Sequence, residues 1–119
     1  VACVTALIIS GLPTRRFCFE AFLPTDKKEH QRVLAELQNE TRTIVLYEAP
    51  HHLLRTLTEL YEALGDRKAS ICRELTKKYE TAFRTTLSQA VAYYTENEPK
   101  GECVIALAAD VPGRAYGTL

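Results

Sequence analysis

No stretch of this chain approaches the roughly 20 apolar residues that cross a bilayer. The opening Val1 to Ile9 is apolar but has no basic residue ahead of it, so it reads poorly as a signal peptide. Charge of one sign is also missing, with 15 Lys and Arg against 15 Asp and Glu. No global field therefore draws the chain to nucleic acid or membrane, and any basic surface has to be local. The cysteines Cys3, Cys18, Cys72 and Cys103 include no C-x-x-C pair. Each sits in an apolar stretch, which favours buried thiols in a reducing cytosol over zinc or disulfides. His30, His51 and His52 lack the H-E-x-x-H spacing, so no metal site is expected. Neither a G-x-G-x-x-G loop, a P-loop nor a G-x-S-x-G elbow occurs, and no nucleophilic triad can be assembled. A starting Met is missing too, and the chain opens in mid-pattern with no helix cap. The expectation is a fragment whose first half is missing.

What is present suits one globular domain. The 119 residues are 46% hydrophobic and 25% charged, enough for a real core. Ala2 to Ile9 reads as a short buried helix stopped by Ser10-Gly11-Leu12-Pro13. Phe17 to Leu23 reads as a strand. Asp26 is placed to cap the next helix, with Glu29 as its capping-box partner. Val33, Leu34 and Leu37 form that helix's apolar stripe, and His30 is expected in solvent. Thr43 to Tyr47 is a continuous β-branched and apolar run, as in an interior parallel strand. Pro50 suits the first turn of a helix, and Leu53, Leu54, Leu57, Leu60, Tyr61 and Leu64 follow at helical spacing. Gly65 stops it.

Ala69 to Cys72 and Tyr79 to Thr86 read as two further strands. Thr86 and Gln89 begin a helix with Leu87, Ala90, Val91 and Tyr94 as its stripe. Cys103 to Ala108 is the last strand. The resulting order, helix-β-α-β-α-β-β-α-β, points to a three-layer α/β/α domain over residues 1–109. The link from Cys72 to Tyr79 is too short for a helical crossover, so the sheet has to be mixed. The tail 110–119 has Pro112, Gly113 and Gly117, no periodicity, and is expected to be loose.

Polar residues gather where strands end, and in α/β sheets ligands sit at carboxyl ends of strands. The junctions are Tyr47-Glu48-Ala49-Pro50-His51-His52, Arg73-Glu74-Leu75-Thr76-Lys77, and Lys100-Gly101-Glu102 ahead of the last strand. A neutral His in the first helical turn can accept a proton, although spacing alone favours an exposed polar turn. Glu48 and Glu74 would be neighbours across one sheet edge. They could hold an amine or a ribose, or form structural ion pairs with Arg73 and Lys77. Two local basic groups stand out, Arg15, Arg16, Lys27, Lys28 and Arg32, then Arg73, Lys77, Lys78 and Arg84. They could meet phosphates if they share a face, or be a solvated surface.

Ser10-Gly-Leu-Pro13, Phe17-x-Phe-Glu-x-Phe-Leu-Pro24, Thr43 to His51, Arg73-Glu-Leu-Thr-Lys77 and Gly101-Glu102 occur in this order and at familiar distances. With these motifs the chain resembles the C-terminal half of the tetrapyrrole methylase superfamily, over about residues 1–108. Within it the chain is most similar to the 16S ribosomal RNA cytidine 2′-O-methyltransferases. The resemblance implies S-adenosylmethionine as methyl donor, in a cleft between two α/β domains of a cytoplasmic homodimer. An N-terminal domain would carry the Gly-rich loops. The cofactor would lean on Tyr47, Glu48 and Ala49, on Glu74, Leu75 and Thr76, and on Gly101 and Glu102. His51, Arg73, Lys77 and Arg84 would face the ribosomal RNA. The chain departs from the family pattern at Ala49, where Ser is usual, and at His52, where Arg is usual. It departs also near Tyr79, where His is usual, and at Thr85, where Gly is usual. A tetrapyrrole or other small-molecule substrate, and an isolated module that only binds or dimerises, remain the alternative readings.

Overall fold

A computed structural model of the protein describes residues 2–73 and 82–109. The elements run α1 (Ala2–Ile9), β1 (Phe17–Ala21), α2 (Lys27–Leu37), β2 (Thr43–Glu48), a 3-10 turn (Pro50–His52), α3 (Leu53–Leu64), β3 (Lys68–Arg73), β4 (Ala82–Thr86), α4 (Leu87–Glu96) and β5 (Cys103–Leu107). This is the order expected from the sequence. Five strands form one mixed sheet in the order β1-β2-β5-β3-β4. Only the pair β1 and β2, joined through α2, is parallel; β5 is antiparallel to both β2 and β3, and β4 to β3. The run Thr43 to Tyr47 is thus an interior strand, parallel on one side and antiparallel on the other.

Alternation along the strands splits the core into two layers. Ile44, Leu46, Ile71, Cys103, Ile105 and Leu107 face α2, α3 and α4. Val45, Cys72 and Val104 face α1, which among the described residues is the helix on the opposite side. The three-layer α/β/α arrangement follows from these two faces. No helix among the described residues is long and apolar enough to cross a membrane.

Helix starts are fixed largely as the sequence dictates. Asp26 accepts the Glu29 N–H at 3.1 Å, and Thr86 accepts the Gln89 N–H at 3.3 Å. The Glu29 carboxylate does not close a capping box, because it takes two bonds from the Arg32 guanidinium, at 2.6 and 3.1 Å. The expectation of a solvated His30 is corrected as well: its side chain is 17% exposed, wedged between α2 and α3. His30 Nδ1 lies 3.0 Å from the Pro24 carbonyl. Its Nε2 lies 3.2 Å from Glu59 Oε1, without the alignment of a hydrogen bond. Tyr61 keeps 42% of its surface exposed, so the α3 stripe is carried instead by Leu53, Thr56, Leu57, Leu60 and Leu64. Cys72 and Cys103 are buried as expected, whereas Cys18, on edge strand β1, is only half-buried.

Two local features yield testable outcomes. Ahead of β2, Glu40 accepts the N–H groups of Thr41 and Arg42 and both ends of the Arg42 guanidinium, at 2.8 to 3.0 Å. Hydrogen bonding to Arg42 holds its carboxyl down at about 2, from an ordinary 4.5. A depressed carboxyl stabilises the fold above its unfolded value and loses that contribution as pH falls toward the folded one. Acid unfolding of Glu40→Gln should therefore show a shallower loss of stability between about 4.5 and about 2 than the parent. The second feature is Ala21, at φ 57° in β1. A Cβ in the left-handed region costs about 1–2 kcal/mol. Ala21→Gly removes that strain against a smaller entropic loss, so thermal unfolding should move upward by an amount worth about 1 kcal/mol.

Candidate functional site

The strand directions bring the carboxyl ends of β1, β2 and β3 to one sheet edge, together with the amino end of β5. Glu48, Cys103 and Arg73 are register partners across β2, β5 and β3. Tyr47, Val104 and Cys72 form the next row. Gly101 and Glu102 precede Cys103 and are exposed, so the antiparallel β5 delivers them to the edge that carries Tyr47 to Ala49 and Arg73. Gly101 turns into β5 at φ 78°, a conformation that a side chain would strain and that leaves this rim low.

Glu48 lies 9% exposed on the three-helix side of the sheet. Its Oε2 accepts the Thr56 hydroxyl at 2.5 Å, and its Oε1 accepts the N–H of Ala49 at 2.9 Å. The carboxylate thus fastens the end of β2 to the first turn of α3 and shapes the bend between them. Each oxygen retains a lone pair, so acceptor capacity remains. Thr56 was not singled out from sequence. It falls on the helical stripe of Leu53, Leu57 and Leu60, and a lone hydroxyl there facing a strand-end Glu was the available signal.

Tyr47 points to the other face, half-buried against Phe19 and Phe22 with ring centroids 5.0 and 5.7 Å away. His51 is exposed in the 3-10 turn, and its ring lies 4.2 Å from that of His52 between centroids. Arg55 Nη2 is 3.3 Å from His52 Nδ1. A guanidinium only donates, so Nδ1 is the acceptor in this contact. Arg73 is half-buried at the end of β3. Its charge acts on the Cys103 thiol and the Tyr94 phenol, but burial dominates and pushes them up to about 11 and about 12. Neither is ionised near neutrality.

Arg84 is not part of this edge. It sits opposite Ser70, three register rows below Arg73, and its Nε and Nη2 donate to the Ile9 carbonyl at 3.0 and 2.7 Å. Two N–H groups on one carbonyl hold the C-terminus of α1 against β4. Glu74, Leu75, Thr76 and Lys77 lie outside the described residues. Of the expected positions, the structure brings together Tyr47, Glu48, Ala49, His51, Arg73, Gly101 and Glu102. Among the described residues no group of three or more His, Cys, Asp or Glu is placed to hold a metal ion.

A mixed five-stranded sheet, layered by helices and with Tyr47 to Ala49, Arg73, Gly101 and Glu102 on one edge, defines an α/β domain. Residues 2–91 match the family of Tetrapyrrole (Corrin/Porphyrin) Methylases, and the chain belongs to it. It is 52% identical over 112 residues to the ribosomal RNA small subunit methyltransferase I of Synechocystis sp., covering 93% of this chain and 40% of that protein. It is 50% identical to the Halalkalibacterium halodurans protein of the same name, over 87% of the chain and 36% of the relative. The Bacillus subtilis protein of that name is 44% identical over 87% of the chain and 36% of its own length. The chain therefore spans about two fifths of the curated relatives it matches.

Proposed function

We propose that this chain is the C-terminal domain of an S-adenosylmethionine-dependent methyltransferase acting on small-subunit ribosomal RNA, at a cytidine ribose 2′-hydroxyl. The observation that carries the reading is the single sheet edge on which Tyr47 to Ala49, Arg73 and Gly101 to Glu102 converge, in a chain whose relatives are named for that activity. The residues fit the adenosine end of such a donor. Ala49 and Gly101 keep the rim low, Tyr47 offers a half-buried ring, and Glu48 keeps acceptor lone pairs for a hydroxyl. The bound donor supplies an electrophilic methyl on a sulfonium. On this chain, Glu48 and the Ala49 backbone orient the adenosine side, and Arg73 offers a cation to a phosphate. In this reading His51, exposed beside them, faces the substrate. Alignment of the hydroxyl and removal of its proton are what the assembled site has to provide.

The working unit in this reading is a cytoplasmic homodimer of the longer chain, in which an N-terminal domain closes the cleft. The 119 residues by themselves, about two fifths of the relatives' length, should give no turnover. The test uses the full-length enzyme, a labelled methyl donor, and small ribosomal subunits from a strain deleted for the gene. One labelled 2′-O-methylcytidine per small-subunit RNA is expected. Transfer to a corrin or porphyrin, with none to RNA, would overturn the reading.

A further inference from the structure

The edge strand β1 leaves aromatic rings in solvent beside the candidate site. Phe17, Phe19 and Phe22 are 37%, 44% and 55% exposed. Phe17 and Phe19 alternate onto one face, and Phe19 and Phe22 both meet Tyr47, on the sheet face that α1 covers. A bulge produces this grouping: Phe19 pairs with Val45 but Ala21 with Leu46, so Glu20 is extra and Ala21 takes φ 57°. The bend carries Phe22 back over Tyr47. Strained backbone of this kind is retained where a side chain has to be re-aimed. The rings meet Tyr47 at interplanar angles of 71° and 66°, edge to face. An edge-to-face contact uses at most one face of a ring, so each Phe keeps at least one face out of its contact with Tyr47.

The charge around the rings is mainly positive, four cations against the two carboxylates Glu20 and Asp26. Arg15 and Arg16 precede β1 and Lys27 and Lys28 follow it, all exposed. Each of the two anions accepts a hydrogen bond from its own segment. Glu20 accepts from the Cys18 thiol at 3.7 Å, and Asp26 caps α2. Exposed rings flanked by cations suit a strand of unpaired bases, since every base offers a π-face and every nucleotide a phosphate.

We propose that Phe19 and Phe22, braced by Tyr47, form a stacking platform for single-stranded RNA next to the cofactor edge. This rests on the RNA-methyltransferase reading above and assigns to β1 the nucleotides neighbouring the target. Tyr47 immediately precedes Glu48, so the platform and the cofactor edge share one strand end.

The test is fluorescence anisotropy of a labelled single-stranded oligocytidine RNA with the full-length enzyme, its Phe19→Ala and Phe22→Ala variants, and Phe22→Trp. Each Ala variant should weaken binding about 5- to 100-fold, with the salt dependence unchanged because no cation is lost. Phe22→Trp should bind at least as tightly as the parent. Unfolding temperature, oligomeric state and cofactor affinity should stay at parental values in all three. If the parent binds the RNA and both Ala variants bind equally well, the platform is refuted while the enzyme reading stands. If the Ala variants also lose dimerisation or cofactor binding and Phe22→Trp does not rescue, the rings are an internal protein contact and the platform is refuted. A parent that binds no single-stranded RNA refutes the platform, while the enzyme reading stands or falls with methyl transfer to small ribosomal subunits.

Discussion

Truncating Ile105 to Ala lowers the stability of the domain by about 2–5 kcal/mol, the range for losing a fully buried branched side chain and leaving a cavity. Ile105 is 0% exposed at the middle of β5, with Leu46 on one side and Ile71 on the other as register partners. Both neighbours are themselves at 2% exposure or less, and all three face the α2, α3 and α4 layer. Central strands have no slack to collapse into the gap. Against a typical total of about 5–15 kcal/mol, that loss is a large share of what holds the domain together. In urea unfolding, the Ile105→Ala midpoint should fall with the slope unchanged, since the surface exposed on unfolding is nearly the same. Ile8→Ala is the control. Ile8 is 67% exposed on α1, and its loss should shift the midpoint by less than about 0.5 kcal/mol. Equal effects at the two positions would mean that the core is not centred on β5.

The β5 position was itself only half legible. The run Cys103 to Ala108 announces a buried strand by composition, and the short link after β3 announces a mixed sheet. Neither tells where β5 inserts. Its place between β2 and β3 is a long-range choice, set by which apolar faces can be covered by α2, α3 and α4 together. That choice matters for function, because an antiparallel β5 brings Gly101 and Glu102 to the edge that already holds Glu48 and Arg73. Helix starts were legible because caps are local: Asp26 and Thr86 bond three residues ahead. His30 and Arg84 were not legible, because their partners, Glu59 and the Ile9 carbonyl, are distant in sequence. A charged residue on a polar face looks solvated until the neighbouring element is in place. The motif resemblance named as a candidate site the region that periodicity could only mark as polar, yet it assigned Glu48 no structural task.

Glu48→Ala should have the largest effect on the candidate site. The substitution leaves the Thr56 hydroxyl and the Ala49 N–H without their acceptor in a place where Glu48 is only 9% exposed. Hydrogen bonds to a charged group are worth about 1.5–3 kcal/mol each, and an orphaned buried donor adds its desolvation. A loss of about 2–4 kcal/mol in stability is expected, together with loosening of the bend that sets Tyr47, Ala49 and His51. Two gentler variants separate direct contact from positioning. Thr56→Val keeps the carboxylate and removes only its donor from α3. Glu48→Gln keeps the shape and an acceptor oxygen but removes the charge. If the carboxylate bonds a hydroxyl of the donor's ribose, calorimetry on the full-length enzyme should show cofactor affinity about 10- to 100-fold weaker for Glu48→Gln. Thr56→Val should then stay within about 3-fold of the parent, because a bond that keeps its charged acceptor loses little. If Glu48 acts only through the backbone bend, the two variants should fall together. Parental affinity in Glu48→Ala, in a protein still folded at the measuring temperature, would remove Glu48 from the cofactor site and leave it a purely structural clasp between β2 and α3.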